Sequence, residues 1–342
     1  MFQACINKLS KKQDLTVAEM ESALDAILAG GVSETDIVLF LVLLRDKGES
    51  AAEIKGAVTV LRQRAQKLHL KSKEIIDTCG TGGDRKNTFN ISTASAFIVA
   101  GAGVPVAKHG NRAVSSSSGS ADVLKKLGVN IEAPPAVVVR CVDEIGIGFL
   151  FAPVYHPVLK AVAAARQKVG TKTIFNIVGP LMNPAGARKQ MIGVYDPLLL
   201  PVIASVLKDL GSESLAVVHG DDGLDEVTLT TKTQICFLKE GKIFNKAFDP
   251  RSVGYPFCRP EALRGGTAEE NAHRLRKMLS GHSQAVDHCV HLNAALALMV
   301  AGKAADFREG LLLAQESISS GRAYEKLEAL VEMSNVKVQM SK

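Results

Sequence analysis

The stretch Ile75-Ile76-Asp77-Thr78-Cys79-Gly80-Thr81-Gly82-Gly83-Asp84, continued by Asn90-Ile91-Ser92-Thr93 into the apolar run 94–102, reads as a strand, a turn and a helix. Gly80, Gly82 and Gly83 leave backbone N–H groups bare just ahead of a helix N-terminus, and such a nest binds anions. Asn90, Ser92 and Thr93 add short polar side chains at that terminus. A Gly-Gly pair by itself is an ordinary capped turn; joined to this strand and helix, the turn makes a phosphate the expected ligand. The loop lacks the Lys-Ser/Thr ending of a nucleoside-triphosphate loop, and its glycines do not fit the dinucleotide fingerprint, which excludes ATP and NAD.

Composition bounds what surrounds this loop. The chain has 342 residues, 46% hydrophobic and 22% charged, enough for one large domain with a smaller companion. No apolar run reaches the length of a membrane span free of charge, and the N-terminus lacks the apolar region of a signal peptide, so a cytoplasmic protein without a membrane partner is expected. Six cysteines stand singly at 5, 79, 141, 236, 258 and 289, a pattern that suits a reducing compartment and argues against structural zinc. The net charge of +6 suits an anionic ligand such as a polyphosphate and is too modest to imply nucleic acid.

Residues 1–70 read as helical. Thr16 with Glu19 forms a capping box ahead of Met20, Ala23, Leu24, Ile27 and Leu28, which share one helical face and stop at Gly30-Gly31. Ser33 with Asp36 opens a second helix whose run 37–44 is apolar on every side, so burial all round is expected. Ser50 with Glu53 opens a third, predicted to end near Leu68.

From Lys73 short apolar strands alternate with helices, the mark of an α/β domain. The pattern predicts strands at 75–77, 104–108, 129–131, 148–151, 191–195 and 215–219, with helices at 92–102, 119–127, 135–145 and 199–210. Ligands in open α/β sheets bind beyond the carboxyl ends of strands. The loop after the second predicted strand, Lys108-His109-Gly110-Asn111-Arg112, then Ser115–Ser118, Gly119, Ser120, Ala121 and Asp122, collects cations, a histidine, an amide and hydroxyls, all able to hydrogen-bond phosphate or ribose oxygens. A run of four serines alone reads as a flexible surface loop; its place after a strand favours a site.

In order, Gly80-Thr81-Gly82-Gly83-Asp84, Asn90-Ile91-Ser92-Thr93, Lys108-His109-Gly110-Asn111-Arg112 and Gly119-Ser120-Ala121-Asp122 resemble the motifs of the anthranilate phosphoribosyltransferase family. Thr173-Ile174-Phe175-Asn176, Gly179-Pro180-Leu181 and Asn183-Pro184 resemble its next block, and Asp222-Gly223-Leu224-Asp225-Glu226 its acidic block. The similarity spans most of the chain.

The resemblance implies a larger α/β domain with a central mixed sheet, of the nucleoside phosphorylase and phosphoribosyltransferase type, plus a small discontinuous helical domain. The implied division is 1–72 and 156–187 helical, 73–155 and 188–342 α/β. The implied reaction moves phosphoribose from phosphoribosyl pyrophosphate (PRPP) to the amino group of anthranilate, releasing pyrophosphate, in tryptophan biosynthesis. No residue is expected as acid or base, because the aromatic amine has a free lone pair at neutral pH; catalysis rests on leaving-group stabilisation and alignment. Carried over position by position, Gly80, Gly83, Asp84, Thr88, Asn90, Ile91, Ser92, Thr93, Lys108 and Ser120 would hold PRPP. Gly80, His109, Asn111, Arg166 and Pro180 would hold anthranilate, with the Arg166 guanidinium forked on its carboxylate. Ser92, Asp225 and Glu226 would hold Mg²⁺ as a hard oxygen site. A homodimer through the helical domain is also implied.

The sequence departs from the family at Lys172, where arginine is common, and at Asp221, an added acid before the metal block. A different phosphoribosyltransferase signature, an apolar strand running into two acids, superficially fits 215–222, but the glycine-threonine loop that should follow it is absent. Two rivals remain: a nucleoside phosphorylase of similar architecture, which would not combine Arg166, Asn111 and the acidic pair, and a catalytically silent nucleic-acid binder, which an aromatic content of 5% with no tryptophan disfavours. Downstream, 261–279 and 291–301 read as helices, and Ala323, Leu327 and Leu330 as a packing face. His282, His288, Cys289 and His291 match no standard zinc spacing and are read as structural.

Overall fold

The computed structural model describes residues 1–113, 117–282 and 285–336; Ser115 and Ser116 of the serine run lie outside the described residues. Four helices come first: α1 Phe2–Ser10, α2 Val17–Leu28, α3 Glu34–Lys47 and α4 Ala51–Arg64. Thr16 and Ser50 close complete capping boxes with Glu19 and Glu53, and Ser33 Oγ caps α3 through the Asp36 N–H. The sequence pattern misses α1, and α4 ends at Arg64, short of Leu68. It also overstates the burial of α3: Ile37, Phe40, Leu41 and Leu44 are buried, whereas Leu39 is 43% exposed because α1 and α9 (below) cover only part of the helix.

The rest of the chain alternates. In order come β1 Ile76–Gly80, α5 Ile91–Gly101, β2 Val106–Gly110, α6 Ser120–Lys126, α7 Pro135–Arg140 and β3 Ile147–Phe151. Three short helices follow: α8 Ala152–Tyr155, α9 Ala163–Val169 and α10 Ile174–Val178. Then come β4 Lys189–Gly193, α11 Leu199–Asp209, β5 Ser214–Gly220, β6 Thr233–Lys239 and β7 Lys242–Phe248. The last helices are α12 Ala268–Leu279, α13 Ala285–Val300, α14 Phe307–Ser319 and α15 Arg322–Ser334. One seven-stranded sheet runs β3-β2-β1-β4-β5-β6-β7, parallel from β3 to β5 and antiparallel beyond, so the fold is α/β with a mixed sheet beside a helical bundle.

Two expectations change. Residues 129–131 form no strand: the Val129 N–H closes the end of α6 on the Leu124 carbonyl, and the Asn130 N–H donates to Ser334 Oγ at 3.0 Å, so their backbone groups are satisfied outside any ladder. The predicted helix over 261–279 is a short 3₁₀ turn at Pro260–Leu263 followed, after a break, by α12 capped by Thr267. Strands β6 and β7 were not read from the sequence; β7 is exposed along most of its length and lacks an apolar signal.

The core is in two parts. One packs α5, α13, α14 and α15 against one sheet face. The other is continuous from the bundle, through Ile174, Phe175, Ile177 and Leu181, to Ile192, Val194, Leu215 and Val217 on β4, β5 and the β4 exit. Among the described residues no helix is long and apolar enough to cross a membrane.

Candidate active site

Strand β1 lies between β2 and β4, and the chain leaves it in one direction for β2 and β3 and returns on the other side for β4 and β5. That reversal opens a crevice at the carboxyl ends of β1 and β4, the place where ligands bind in such sheets. Gly80 and Gly193 are paired there, one on each strand. Into the gap between them comes the 221–227 loop. A Cβ on Gly80 would meet Asp225 Oδ2 at 2.9 Å, and one on Gly193 would lie 2.6 Å from the Asp225 carbonyl carbon. Glycine is required at 193 by that approach, since its backbone is not left-handed.

The acidic pair is bound to the phosphate loop and helix. Asp225 Oδ2 accepts the Gly82 N–H at 3.0 Å, and Glu226 Oε1 accepts the Ser92 N–H at 3.1 Å. Helix α5 is thus capped by Glu226; its own N-cap residue, Asn90, makes no side-chain cap bond. The loop is anchored from behind, where Asn293 accepts the Val227 N–H at 2.9 Å and donates to the Val227 carbonyl at 2.8 Å. Asp222 accepts from the Thr228 and Thr230 hydroxyls and the Leu224 N–H. Asp221 accepts from Gln234 Nε2 at 2.9 Å and is turned away from the acidic pair.

Crowding decides the charge of the pair. Withdrawal from water, then the charge of nearby Asp84, pushes Asp225 up to about 7, although part of its surface still reaches solvent. Withdrawal from water and Asp225 push Glu226 well above the usual carboxylate range. Asp84 Oδ2 is buried without a hydrogen-bond partner. Facing them, Lys108 on β2 is buried, donating to the Thr78 carbonyl and to Ser92 Oγ at 3.4 Å; burial depresses its pKa while Asp77 opposes that shift. Lys108 on the inner side, already facing Asp77, and Lys172 on the outer side are the lysines acting on these carboxylates, and the inner pair keeps a surplus of negative charge that a divalent cation would neutralise. No group of three or more His, Cys, Asp or Glu side chains among the described residues is arranged to hold a metal alone, so such an ion would take oxygens from its ligand as well.

On the other flank, Gly110 lets Ser120 Oγ and the Phe149 ring close on the backbone, and Ser120 donates to the Asn111 carbonyl at 3.2 Å. Asn111 is exposed, its Oδ1 accepting the Arg112 N–H. Asn90 exchanges hydrogen bonds with Ser118, and buried Asn271 on α12 donates to both at 2.9 Å. Thr88 bridges to Arg264. Ile91 is buried, and the Thr93 side chain faces a small void shared with Phe97 and Phe149, so both can offer a ligand only backbone.

Beneath the site, fully buried Asp77 joins three segments: it accepts the His109 N–H at 3.0 Å, Asn183 Nδ2 at 2.8 Å and Cys79 Sγ at 3.4 Å. The Pro180 carbonyl accepts Gln190 Nε2 and Cys79 Sγ, which seats the Gly179-Pro180 turn over β1 and β4. The His109 ring meets that of His156 at 5.3 Å; burial and then His156 lower His109 to about 3, so it is a neutral imidazole. Arg166 on α9 lies over the Phe175 ring at 5.4 Å, and burial lowers its pKa. Among the described residues it forms no ion pair, and no hydrogen bond or ring contact joins it to Asn111 or His109. Lys172 lies over Tyr195, its Nζ 3.3 Å from the ring centre.

Sequence reasoning overlooked Gly193, Asn271 and Asn293, and quoted Asp77 and Asn183 without giving them a role. The polar Asn271 and Asn293 within apolar helix faces were the available signals. His282, His288, Cys289 and His291 do not meet at one point: the rings of His288 and His291 lie 6.3 Å apart, with His288 also packed on Tyr255, but the Cys289 thiol donates to the Val227 carbonyl and His282 pairs with Ser280.

A helical bundle beside a mixed sheet, with a phosphate loop and an acidic loop meeting at the switch point, defines a pentosyl-transferring glycosyltransferase. Residues 3–65 match the helical bundle domain of the Glycosyl transferase family, and residues 72–324 match its a/b domain. The chain belongs to the anthranilate phosphoribosyltransferase family. It is 49% identical to the anthranilate phosphoribosyltransferase of Moorella thermoacetica over 331 residues, covering 97% of this chain and 98% of that protein. The crystal structure of the Thermus thermophilus enzyme superposes with a TM-score of 0.91 at 39% identity, covering 97% of this chain and 99% of that one. The Saccharomyces cerevisiae enzyme in complex with PRPP and Mg gives 0.89 at 28% identity, 97% of each chain being covered, and another of its structures holds 4-fluoroanthranilate.

Proposed function

We infer that this protein is an anthranilate phosphoribosyltransferase: it transfers the phosphoribosyl group of PRPP to the amino group of anthranilate, giving N-(5-phosphoribosyl)anthranilate and pyrophosphate in tryptophan biosynthesis. The observation that carries this is the meeting of the Gly80–Asp84 loop, the α5 N-terminus, Lys108 and the Asp225-Glu226 pair in one crevice. Cleaving the ribose–diphosphate bond builds positive charge on the sugar and negative charge on the leaving group, and bare N–H groups with a buried lysine are suited to the latter. Neutral His109 offers no proton at physiological pH, which agrees with a reaction needing alignment more than acid catalysis.

In this reading PRPP is held by Gly80, Gly83, Asp84, Thr88, Asn90, Ile91, Ser92, Thr93, Lys108 and Ser120. Anthranilate is held by Gly80, His109, Asn111, Arg166 and Pro180, with the unpaired Arg166 fork on its carboxylate. Mg²⁺ fits the crowded carboxylates: Ser92, Asp225 and Glu226 would hold it, and when bound it would neutralise developing charge on the diphosphate. The helical domain comprises 1–72 and 156–187, and the exposed Leu39 on α3 suits a homodimer formed through it. The protein acts in the cytoplasm.

The test is anthranilate fluorescence over time with purified protein, PRPP and Mg²⁺, each omitted in turn. Loss of signal requiring all three, with pyrophosphate released, is expected. No loss, with phosphorolysis of nucleosides instead, would overturn the reading.

A further inference from the structure

Outside the glycine loop lies a cavity of about 580 Å³, within the size range of small-molecule sites, whose lining includes Arg45, Arg85, Lys86, Lys172, Asp84 and Tyr195. Its cations come from α3, from the loop itself and from the segment after α9. Arg45 is already engaged, donating to Asp46 and to Thr171 Oγ1 at 2.6 Å. Arg85, Lys86 and Lys172 form no ion pair among the described residues.

Each of the three is held at the cavity wall. The Lys172 chain presses on Gly83, where a Cβ would meet its Cε at 2.9 Å, while its ammonium lies on Tyr195. Lys86 reaches across to the acidic loop, its Cε 3.4 Å from where a Gly223 Cβ would stand. Arg85 has a left-handed backbone, φ +59°, a conformation that L side chains rarely adopt. Burial and then the Arg85 charge lower the Lys172 pKa, while Asp84, Asp196 and Asp225 act against that shift from a distance without closing an ion pair with it.

We propose that this cleft holds the diphosphate after its bond to ribose is broken, with Arg85, Lys86 and Lys172 as its ligands on the way out. The proposal rests on the phosphoribosyl-transfer reading. Three unpaired cations suit a compact polyanion, and the cleft adjoins the acidic loop, so a cation travelling with the diphosphate need not leave its neighbourhood. A nucleotide is disfavoured because Lys172 already covers the face of Tyr195, the one ring in the lining.

Calorimetric titration of the whole protein with magnesium pyrophosphate, after PRPP has saturated the donor site without anthranilate, tests this. The wild type should still bind pyrophosphate. Arg85→Gly with Lys172→Gln should weaken that binding about tenfold or more while PRPP affinity changes by less than about twofold. Glycine relieves the backbone at 85, so the variant is expected to fold, and Lys172→Arg in the wild-type background should keep the binding. No pyrophosphate bound beside PRPP, or binding unchanged in the double variant, overturns the proposal. If PRPP itself fails to bind the wild type, the transferase reading falls; pyrophosphate binding lost in the double variant would then still support the cleft as a diphosphate site, and its absence would remove both.

Discussion

Gly193→Ala tests whether the acidic loop is positioned by close packing between β1 and β4. The new methyl carbon would overlap the Asp225 carbonyl oxygen outright and lie 2.6 Å from its carbon, whereas carbon atoms in contact sit about 3.5–4.0 Å apart. Strand β4 is paired on both sides, with β1 and with β5, and cannot yield easily, so the 221–227 loop must retreat by about 2 Å to free the Asp225 carbonyl oxygen. That motion pulls Asp225 from the Gly82 N–H and Glu226 from the Ser92 N–H together. A displacement of about 1 Å at a reacting site can cost about 100-fold in rate, and overpacking typically costs about 1–3 kcal/mol of stability. The assay is anthranilate consumption across a Mg²⁺ series, beside urea unfolding of the same preparation. A loss of kcat/KM of about 100-fold with a weakened Mg²⁺ response is expected. Activity within about threefold of wild type at the same Mg²⁺ midpoint would refute the idea that this contact sets the loop.

Three further outcomes are expected. Arg166→Ala should raise the anthranilate KM about 10–100-fold and leave PRPP binding nearly intact; equal losses for both substrates would remove Arg166 from the carboxylate. Asp225→Asn with Glu226→Gln should abolish the Mg²⁺ response of the reaction, and an unchanged titration would put the metal elsewhere. For pH, His156 is buried and its pKa is lowered to about 4, chiefly by burial. The stability held by its neutral form is complete above the unfolded value of about 6.5 and is lost as pH falls toward 4, by about 2 kcal/mol at pH about 5. Raised carboxylates such as Asp225 pull the opposite way, so the readout is a difference: the destabilisation caused by His156→Gln should be about 2 kcal/mol smaller near pH 5 than near pH 7.5. A pH-independent difference in urea unfolding would refute it.

The fold class was legible because helix caps and strand-loop junctions are local. Thr16 with Glu19 and Ser50 with Glu53 declare helix starts in four residues, and the run from Ile75 to Ser92 declares a strand, a nest and a helix in succession. Strand β7 was not, because the last strand of an antiparallel edge buries little and so leaves no apolar pattern; β6 was overlooked although Ile235, Cys236 and Leu238 are buried on it. Val129 and Ile131 misled for the converse reason: two buried β-branched residues look like a strand, although their amide neighbours are spent on a helix end and on Ser334. The glycine loop and the acidic pair were found separately, yet periodicity says nothing about residues 143 positions apart meeting, as Gly82 and Asp225 do.

The same distant meeting explains why the small helical segments are where they are. The crossover from β3 to β4 must carry the chain past β2 and β1, and residues 152–188 use that passage to bring α9 and α10 onto α3 and α4. Asn183, near its end, is tied to Asp77 on β1, and Pro180 to Gln190 on β4. The turn that faces the crevice is therefore fixed to the sheet, while its other side belongs to a core shared with the bundle and with Ile192, Val194 and Val217. A bundle joined to the sheet by one continuous apolar core does not swing as a free body. Arg166 sits on the 156–176 segment of that shared core, among short helices and beside Gly170 in a left-handed turn, so an approach to the glycine loop would be a small shear of packed elements in place of a free hinge.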